Sequence, residues 1–268
     1  MPGTGKALQD RIRIERDGAV GILAIDNPGK RNALDLGMWA AIPGLMTSLA
    51  SDASVRVIVV RGAGTMAFAA GADISEFSTV RASAEGGLAY EAANLAAFEA
   101  VARCPKPVIA MIRGFCLGGG LGLALSCDLR IAAHGAQFGI PAGRLGVGYP
   151  PAALAYAVAA LGAMRAKELF FTARRIDAAE ADGLGLLTRL VPEADLERET
   201  RALAETIAAN APLTLRAAKA GIDAAAGMPG AASPAELQRL AAACFDSDDY
   251  REGRTAFLAK RDPSFRGT

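Results

Sequence analysis

Two glycine-rich segments follow runs of branched apolar residues, and their small side chains favour chemistry by the backbone. VIVVRG at residues 57–62 leads into FAAGAD at 68–73, and VIAMIRG at 108–114 leads into CLGGGLG at 116–122. Small residues let backbone N–H groups approach a ligand closely, and a helix beginning at the second segment adds unpaired donors and a positive dipole end. Two such donors converging on one carbonyl form an oxyanion hole. The alternative interpretation is that the glycines only permit close helix packing.

Conventional catalytic side chains are scarce near these segments. His134 is the single histidine, lies beside Gly135 in a predicted turn, and has no evident partner in sequence, so we expect a surface role. GTGK at residues 3–6 lacks the spacing and the following Ser or Thr of a phosphate loop. Four cysteines lack metal-type spacing and are expected to be reduced, namely Cys104, Cys116, Cys127 and Cys244.

Strands separated by helices must position the two glycine-rich segments. RIRIERDG and AVGILAID predict a hairpin turning at Asp17 and Gly18, and buried strands are predicted over 55–62, 108–114 and 128–133, with a loop over 63–74. Strands joined through helices imply crossover connections and parallel pairing, and parallel sheets place their sites at the carboxyl ends of the strands. Helices are predicted over 36–50 with Asp35 as N-cap, 85–103, 118–126, from 151 and again from 164, and over 178–183, 196–209, 212–226, 234–245 and 251–260.

Composition excludes several classes of function. The chain has 268 residues, 52% apolar and 21% charged, with a net charge of +1, which gives no electrostatic reason to expect nucleic acid or membrane partners. Its apolar runs are shorter than the roughly 18 residues of a membrane span. The N-terminal residues are too polar for a signal peptide, so we expect a cytoplasmic location.

Several motifs in order along nearly the whole chain resemble the crotonase, or enoyl-CoA hydratase/isomerase, superfamily. They are NPGKRNALD, FAAGADI, GFCLGGGLGLALSCDLRIA, AQFGIPAGRLGVGYP, AKELFFTARRIDAAEADGLGLLTRLVP and SDDYREGRTAFLAKRDPSF. The resemblance implies an α/β fold with a spiral core of ββα turns over residues 1–195 and a helical C-terminal trimerisation region over 196–268. It also implies homotrimers or homohexamers, and a CoA thioester as substrate with no metal or other cofactor.

The resemblance implies roles for individual positions. Ala72 and Gly119 would donate the two oxyanion-hole N–H groups. The remaining residues would bind substrate or CoA: Lys30, Arg31, Ala33, Ala70, Asp73, Ile74, Phe257 and Lys260, the last two from the final helix and sometimes toward a neighbouring subunit.

The sequence departs from this family at both usual catalytic glutamates, which are Gly122 and Ala142 here. General acid–base catalysis contributes about 10²- to 10⁴-fold per group, so a replacement is needed for hydration. Tyr149 is the first candidate, as a proton donor or a partner for a substrate carboxylate, and packing against the next helix is its alternative role. The other candidates are Arg144, which otherwise is a surface charge, and the acids Asp73, Glu76 and Glu91, with Asp73 also expected as a helix cap.

Three functions remain open at this point. The first is an acyl-CoA enzyme of hydratase or isomerase type that stabilises a thioester enolate in a backbone oxyanion hole. The second is a decarboxylase of malonyl-type thioesters, which needs no base because the leaving carboxylate generates the enolate. The third is a non-catalytic acyl-CoA binding protein.

Overall fold

The computed structural model describes residues 7–268, and the GTGK segment lies outside them. Its strands are β1 Ile12–Asp17, β2 Val20–Ile25, β3 Val57–Gly62, β4 Ala67–Ala69, β5 Val108–Ile112, β6 Phe115–Leu117, β7 Leu129–Ala133, β8 Gln137–Gly139, β9 Arg175–Asp177 and β10 Arg189–Val191. Its α-helices are α1 Leu8–Arg11, α2 Leu36–Ser51, α3 Ala84–Ala102, α4 Gly119–Leu125, α5 Ala142–Leu145, α6 Pro151–Thr172, α7 Ala178–Gly183, α8 Leu196–Ala208, α9 Pro212–Ala225, α10 Pro234–Phe245 and α11 Asp248–Ala259. Short 3-10 turns occupy Pro28–Lys30, Ile74–Glu76 and Glu193–Asp195.

Within residues 7–268, the larger sheet has six strands in the order β1-β2-β3-β5-β7-β10. The predicted hairpin is confirmed, since β1 and β2 pair antiparallel around Gly18, whose φ is 59°. Every later neighbour pairs in parallel, as the alternation of strands and helices predicted. Strands β3 and β5 are apolar on both faces because both faces are covered.

The other sheet, in the same part of the chain, has four strands in the order β4-β6-β8-β9. Its strand β4 lies in the segment 63–74, where a loop was predicted, and that prediction was wrong because three residues are too short to show a periodicity. The chain passes from one sheet to the other at sharp turns. At Gly114, with φ of 59°, a Cβ atom would lie 2.1 Å from the carbonyl oxygen of Met66.

This arrangement is a spiral of ββα turns. Each turn contributes one strand to the large sheet, one to the small sheet and then a helix, giving β3-β4-α3, β5-β6-α4 and β7-β8-α5. The spiral core and the α/β fold class predicted from the sequence are therefore confirmed.

The main core lies between the sheets and α2, α3 and α4, and a smaller one lies under α8. Ile58 and Val60 face the first, while Val57 and Val59 face the second, together with Leu196 of α8. The alternation follows from the two-residue period of a strand. Each cysteine, all within the described residues, is a free thiol.

Helix ends match the sequence predictions to within a few residues. Asp35 caps α2 by accepting a hydrogen bond from Met38 N at 2.9 Å. Gly162 interrupts α6 with φ of 73°, so two helical segments meet where two helices were predicted. The last helix begins at Asp248 rather than Arg251, because Ser247 supplies its N-cap.

Helices α9 and α10 bury no residue fully within one chain. The boundary between residues 195 and 196 stays a prediction. Among residues 7–268, no helix combines the length and the apolar character needed to cross a bilayer.

Candidate active site

The first candidate donor, Ala72, lies in the loop after β4 with its N–H directed away from the neighbouring chain segment. Leu34 N donates to Gly71 O, and Asp73 N donates to Leu34 O, both at 2.9 Å, so Ala72 forms an isolated parallel bridge to Leu34. In such a bridge the hydrogen bonds are made by the carbonyl of the residue before Ala72 and by the N–H of the residue after it. Among the described residues, the N–H of Ala72 has no hydrogen-bond acceptor.

The second candidate donor, Gly119, is the first residue of α4, and its N–H has no helical acceptor. The loop of Ala72 packs directly on this helix start. A Cβ atom at Gly71 would lie 3.3 Å from Gly119 N, and one at Gly120 would lie 2.3 Å from Ala69 O. The structure therefore places the two donors predicted from the sequence at neighbouring positions, and the glycines permit that approach.

A chain of buried aromatic groups holds this junction, and sequence reasoning missed it. Trp39 Nε1 donates to Tyr90 Oη at 3.1 Å, and Tyr90 Oη donates to Leu34 O at 2.8 Å. The Trp39 ring would lie 3.0 Å from a Cβ atom at Gly119. Burial raises the pKa of Tyr90, so its hydroxyl stays protonated and keeps its donor role.

Asn32 is a second residue that sequence reasoning missed. It is 1% exposed and left-handed, with φ of 56°. Its Nδ2 donates to Ala63 O at 3.0 Å and Ala67 O at 2.7 Å, and its Oδ1 accepts from Asn27 N at 2.9 Å. Asn32 therefore ties the loop after β2 to the segment leading into β4.

Both usual acid positions are apolar and filled. A Cβ atom at Gly122 would lie only 2.5 Å from Cζ of Phe98, so the phenyl ring occupies the space of a side chain there. Ala142 begins α5 and is 7% exposed. The chemistry of this site must use other side chains.

Tyr149 lies beside the start of α4. Its hydroxyl oxygen is 3.9 Å from the Cβ position of Gly118, and its ring packs edge-on against Phe170 of α6 with centroids 5.3 Å apart. Burial raises the pKa of Tyr149, and the Glu91 charge adds to this effect, so the hydroxyl is a neutral donor. The packing role and the donor role both fit this position.

Most of the predicted CoA-binding residues lie together in the loops after β2 and β4. The Lys30 ammonium pairs with the Asp73 carboxylate, and Ala70 N donates to Arg31 O at 3.0 Å. The Arg31 guanidinium stacks over the Phe115 ring at 5.0 Å. Ala33 is buried in the same loop, and Ile74 is 73% exposed at its edge.

Asp73 also caps the 3-10 turn that follows it, as predicted, by accepting from Ser75 N at 3.0 Å. Burial alone would raise the pKa of Asp73, but the hydrogen bonds from Lys30 and Ser75 outweigh it and lower the pKa. The carboxylate is therefore anionic, and its hydrogen bonds with Lys30 and Ser75 hold it in place.

Other candidates lie away from the loops after β2 and β4. Phe257, 83% exposed, and Lys260, the C-cap, belong to α11, which packs on α10. Arg144 and His134 are exposed. The Asp128 carboxylate accepts from Val108 N at 2.6 Å and Lys219 Nζ at 2.9 Å, a packing role.

Two further acids lie near the loop. Glu76 accepts from Leu36 N at 2.9 Å, and burial raises its pKa. Glu91 pairs with Arg81 at 2.7 Å inside the molecule. Within the described residues, no cluster of three or more His, Cys, Asp or Glu side chains could hold a metal ion.

Comparisons with known proteins identify the family and the fold. The sequence profile described as Enoyl-CoA hydratase/isomerase matches residues 15–268. The protein named "Probable enoyl-CoA hydratase" from Mycobacterium bovis is 36% identical over 256 residues, covering 96% of this chain and 98% of its own. A crotonyl-CoA hydratase from Syntrophomonas wolfei is 34% identical over 258 residues, covering 96% and 98%. A crystal structure of an enoyl-CoA hydratase/carnithine racemase from Magnetospirillum magneticum aligns with a TM-score of 0.91 and 40% identity, covering 97% of this chain and 96% of that one.

The ββα spiral is thus that of the crotonase fold. The chain belongs to the enoyl-CoA hydratase/isomerase family of the crotonase superfamily.

Proposed function

We propose that the protein is an acyl-CoA enzyme of hydratase or isomerase type that stabilises a thioester enolate. The observation that carries this proposal is the adjacency of two backbone N–H groups, on Ala72 and Gly119, that lack acceptors within the described chain. The names of the relatives supply the substrate class, an enoyl-CoA thioester. The thioester is the substrate, and no metal or further cofactor is needed for this chemistry.

The two donors act on the thioester oxygen. When a bond at the α-carbon or β-carbon is made or broken, negative charge moves to that oxygen, and both N–H groups donate to it. Each preorganised donor lowers the barrier by about 3–4 kcal/mol. Gly71 and Gly120 are needed because a Cβ atom at either position would push the loop and the helix apart.

Decarboxylation of a malonyl-type thioester is the second candidate. It is favoured by the apolar residues at both usual acid positions and by the Tyr149 hydroxyl beside Gly118, which has no protein acceptor in the described chain. In this reaction the bond from C2 to the carboxylate breaks, its electron pair forms the enolate, and carbon dioxide leaves. Tyr149 would then protonate C2.

A turnover screen by mass spectrometry tests the proposal with crotonyl-CoA, longer enoyl-CoAs and methylmalonyl-CoA. Gly119→Pro removes the N–H, whereas the control Gly119→Ala adds a Cβ atom and keeps the N–H. We expect Gly119→Pro to be slower than Gly119→Ala by about 10²- to 10³-fold. Water addition supports the first function, and carbon dioxide release supports the second. Thioester binding without any turnover would instead indicate a non-catalytic binding protein.

We also propose that chains associate as homotrimers or homohexamers, with Phe257 and Lys260 contacting CoA bound to a neighbouring chain. The exposed apolar side chains of the last two helices support this assembly, since Phe245, Phe257 and Leu258 are 66%, 83% and 80% exposed in one chain. Light scattering after size-exclusion chromatography measures the mass, and a monomer would contradict the proposal.

A further inference from the structure

One face of α3 is directed at the start of α4. Glu91, Asn94 and Phe98 are spaced at i, i+3 and i+7, which places them on one side of a helix. The Phe98 ring contacts Gly122, in the second turn of α4. At 1.5 Å per residue, Glu91 lies about 10 Å along α3 from Phe98, whereas Gly122 is about 4.5 Å from the start of its helix.

Tyr149 and Tyr90 show in which direction this face runs. Its hydroxyl lies 3.9 Å from the Cβ position of Gly118, at the start of α4, and the charges of Glu91 and Arg81 both act on that hydroxyl. Tyr90, the neighbour of Glu91 on α3, donates to Leu34 O, and Leu34 forms the bridge to Ala72. The end of α3 that carries Glu91 therefore lies toward the junction of Ala72 and Gly119.

Glu91 forms a largely buried ion pair with Arg81, which also contacts two aromatic rings. Arg81 Nη2 lies 2.7 Å from Glu91 Oε1, and the two side chains are only 10% and 12% exposed. The Arg81 guanidinium also stacks over the Phe77 and Tyr90 rings, each at 4.6 Å. Burying such a pair brings little net stability, because the desolvation of both charges offsets their attraction.

Asn94 gives a second, independent observation. It is 6% exposed, its Nδ2 lies 3.4 Å from Glu91 Oε2, and its Oδ1 is buried without a hydrogen-bond partner. A buried acceptor without a donor is costly, and a substrate or water O–H at this point would satisfy it. Burial raises the pKa of Glu91 despite the opposing effect of Arg81, as suits a group that both takes and returns a proton.

We propose that Glu91 is the catalytic acid–base residue of this site, taking the role of the two missing carboxylates; this inference rests on the proposed function. In hydration, the Glu91 carboxylate takes a proton from water while the water oxygen bonds to C3. The C2–C3 π pair moves to C2 and the carbonyl, giving the enolate held by Ala72 and Gly119. The Glu91 carboxyl then returns the proton to C2 and becomes a carboxylate again. Asn94 Oδ1 accepts the second O–H of the attacking water.

The experiment compares wild-type protein with Glu91→Gln, Glu91→Asp and the control Glu99→Gln on the same helix. Glu99 pairs with Arg103 at the surface. We measure kcat and KM for the enoyl-CoA that is turned over fastest, and the affinity for butanoyl-CoA by calorimetry. We expect Glu91→Gln to lose about 10²- to 10⁴-fold in kcat, with unchanged butanoyl-CoA affinity and partial recovery in Glu91→Asp. The control should match wild type.

The pH profile separates catalysis from structure. In the wild type, kcat should fall as pH decreases through the raised pKa of Glu91, because a protonated carboxyl cannot accept the water proton. This acidic limb should disappear in Glu91→Gln. Since that variant leaves Arg81 buried without its partner, Arg81→Gln/Glu91→Gln is measured as well, with the thermal midpoint of each variant. A folded but equally slow double variant supports the proposal.

The outcomes distinguish the two proposals. If Glu91→Gln, or the folded double variant, keeps kcat within about threefold of wild type, the role of Glu91 is overturned and the oxyanion hole stands. If the wild type releases carbon dioxide from methylmalonyl-CoA but hydrates no enoyl-CoA, the role of Glu91 also falls. If the wild type turns over no thioester at all, the proposed function falls with it.

Discussion

The contact between Gly122 and Phe98 makes a quantitative prediction about the vacated acid position. A Cβ atom at residue 122 would lie 2.5, 2.9 and 3.2 Å from three carbons of the Phe98 ring. Favourable carbon contacts occur at about 3.5–4.0 Å, so the ring would have to move by about 1 Å. It has little room to do so, because Phe98 is 2% exposed and its ring packs edge-on against Trp39 at 5.8 Å.

Two opposing effects set the size of the change in Gly122→Ala. Overpacking of a tight core costs about 1–3 kcal/mol. Replacing glycine by alanine inside a helix stabilises by about 1 kcal/mol. We expect a net loss of up to about 2 kcal/mol in the free energy of unfolding. When Phe98→Leu first removes the ring, the same alanine should stabilise instead, giving a coupling of about 1–3 kcal/mol between the two sites.

Urea unfolding of the wild type, both single variants and the double variant measures this coupling. Gly44→Ala is the control, since Gly44 lies within α2 and a Cβ atom there meets nothing within 4 Å. That control should be more stable than wild type by about 1 kcal/mol and should not couple to Phe98→Leu. Additivity of Gly122→Ala and Phe98→Leu to within about 0.5 kcal/mol would refute the reasoning.

Three further predictions concern the loops around the site. Tyr149→Phe should leave enoyl-CoA hydration within about fivefold of wild type but remove methylmalonyl-CoA decarboxylation, and equal losses in both assays would contradict this. Asn32→Ala should lower the free energy of unfolding by about 2–5 kcal/mol, measured in urea, because one buried and two partly buried backbone groups lose their partner. Asp73→Asn should destabilise the protein at pH 7 but much less at an acidic pH below the lowered pKa of Asp73, because a lowered folded-state pKa gives stability that is lost as pH falls through it; equal losses at both pH values would count against the Lys30 contact.

Local sequence patterns predicted the parts of the fold that are built locally. The apolar runs of β3 and β5, the Asp17-Gly18 turn and the Asp35 cap each depend on residues that are neighbours in the chain. The glycine-rich segments are also local patterns, and their small residue types predict that the backbone can approach a ligand closely. The family motifs added the order of the turns, and the comparisons confirm the family.

Contacts between distant segments could not be predicted in the same way. The small-sheet strands β4, β6 and β8 have three residues each, too few for a period of two to be visible. Trp39, Tyr90 and Leu34 meet through hydrogen bonds that span 51 and 56 residues. No pattern in one window of sequence distinguishes such an aromatic residue from one that only fills the core.

The case for Glu91 depends on both a local sequence pattern and a contact between distant segments. Its proposed role explains why the two missing glutamates do not by themselves remove acid–base chemistry. The sequence placed Glu91 near the second loop and seven residues before Phe98, but only the packing of α3 on α4 shows that Phe98 fills the space at Gly122. Glycine at 122 and phenylalanine at 98 thus form one packing unit, which excludes a carboxylate from α4. The carboxylate position that remains open is two turns earlier on α3. Because two carboxylates in one apolar pocket raise each other's pKa, a glutamate at 122 would also oppose the ionisation of Glu91.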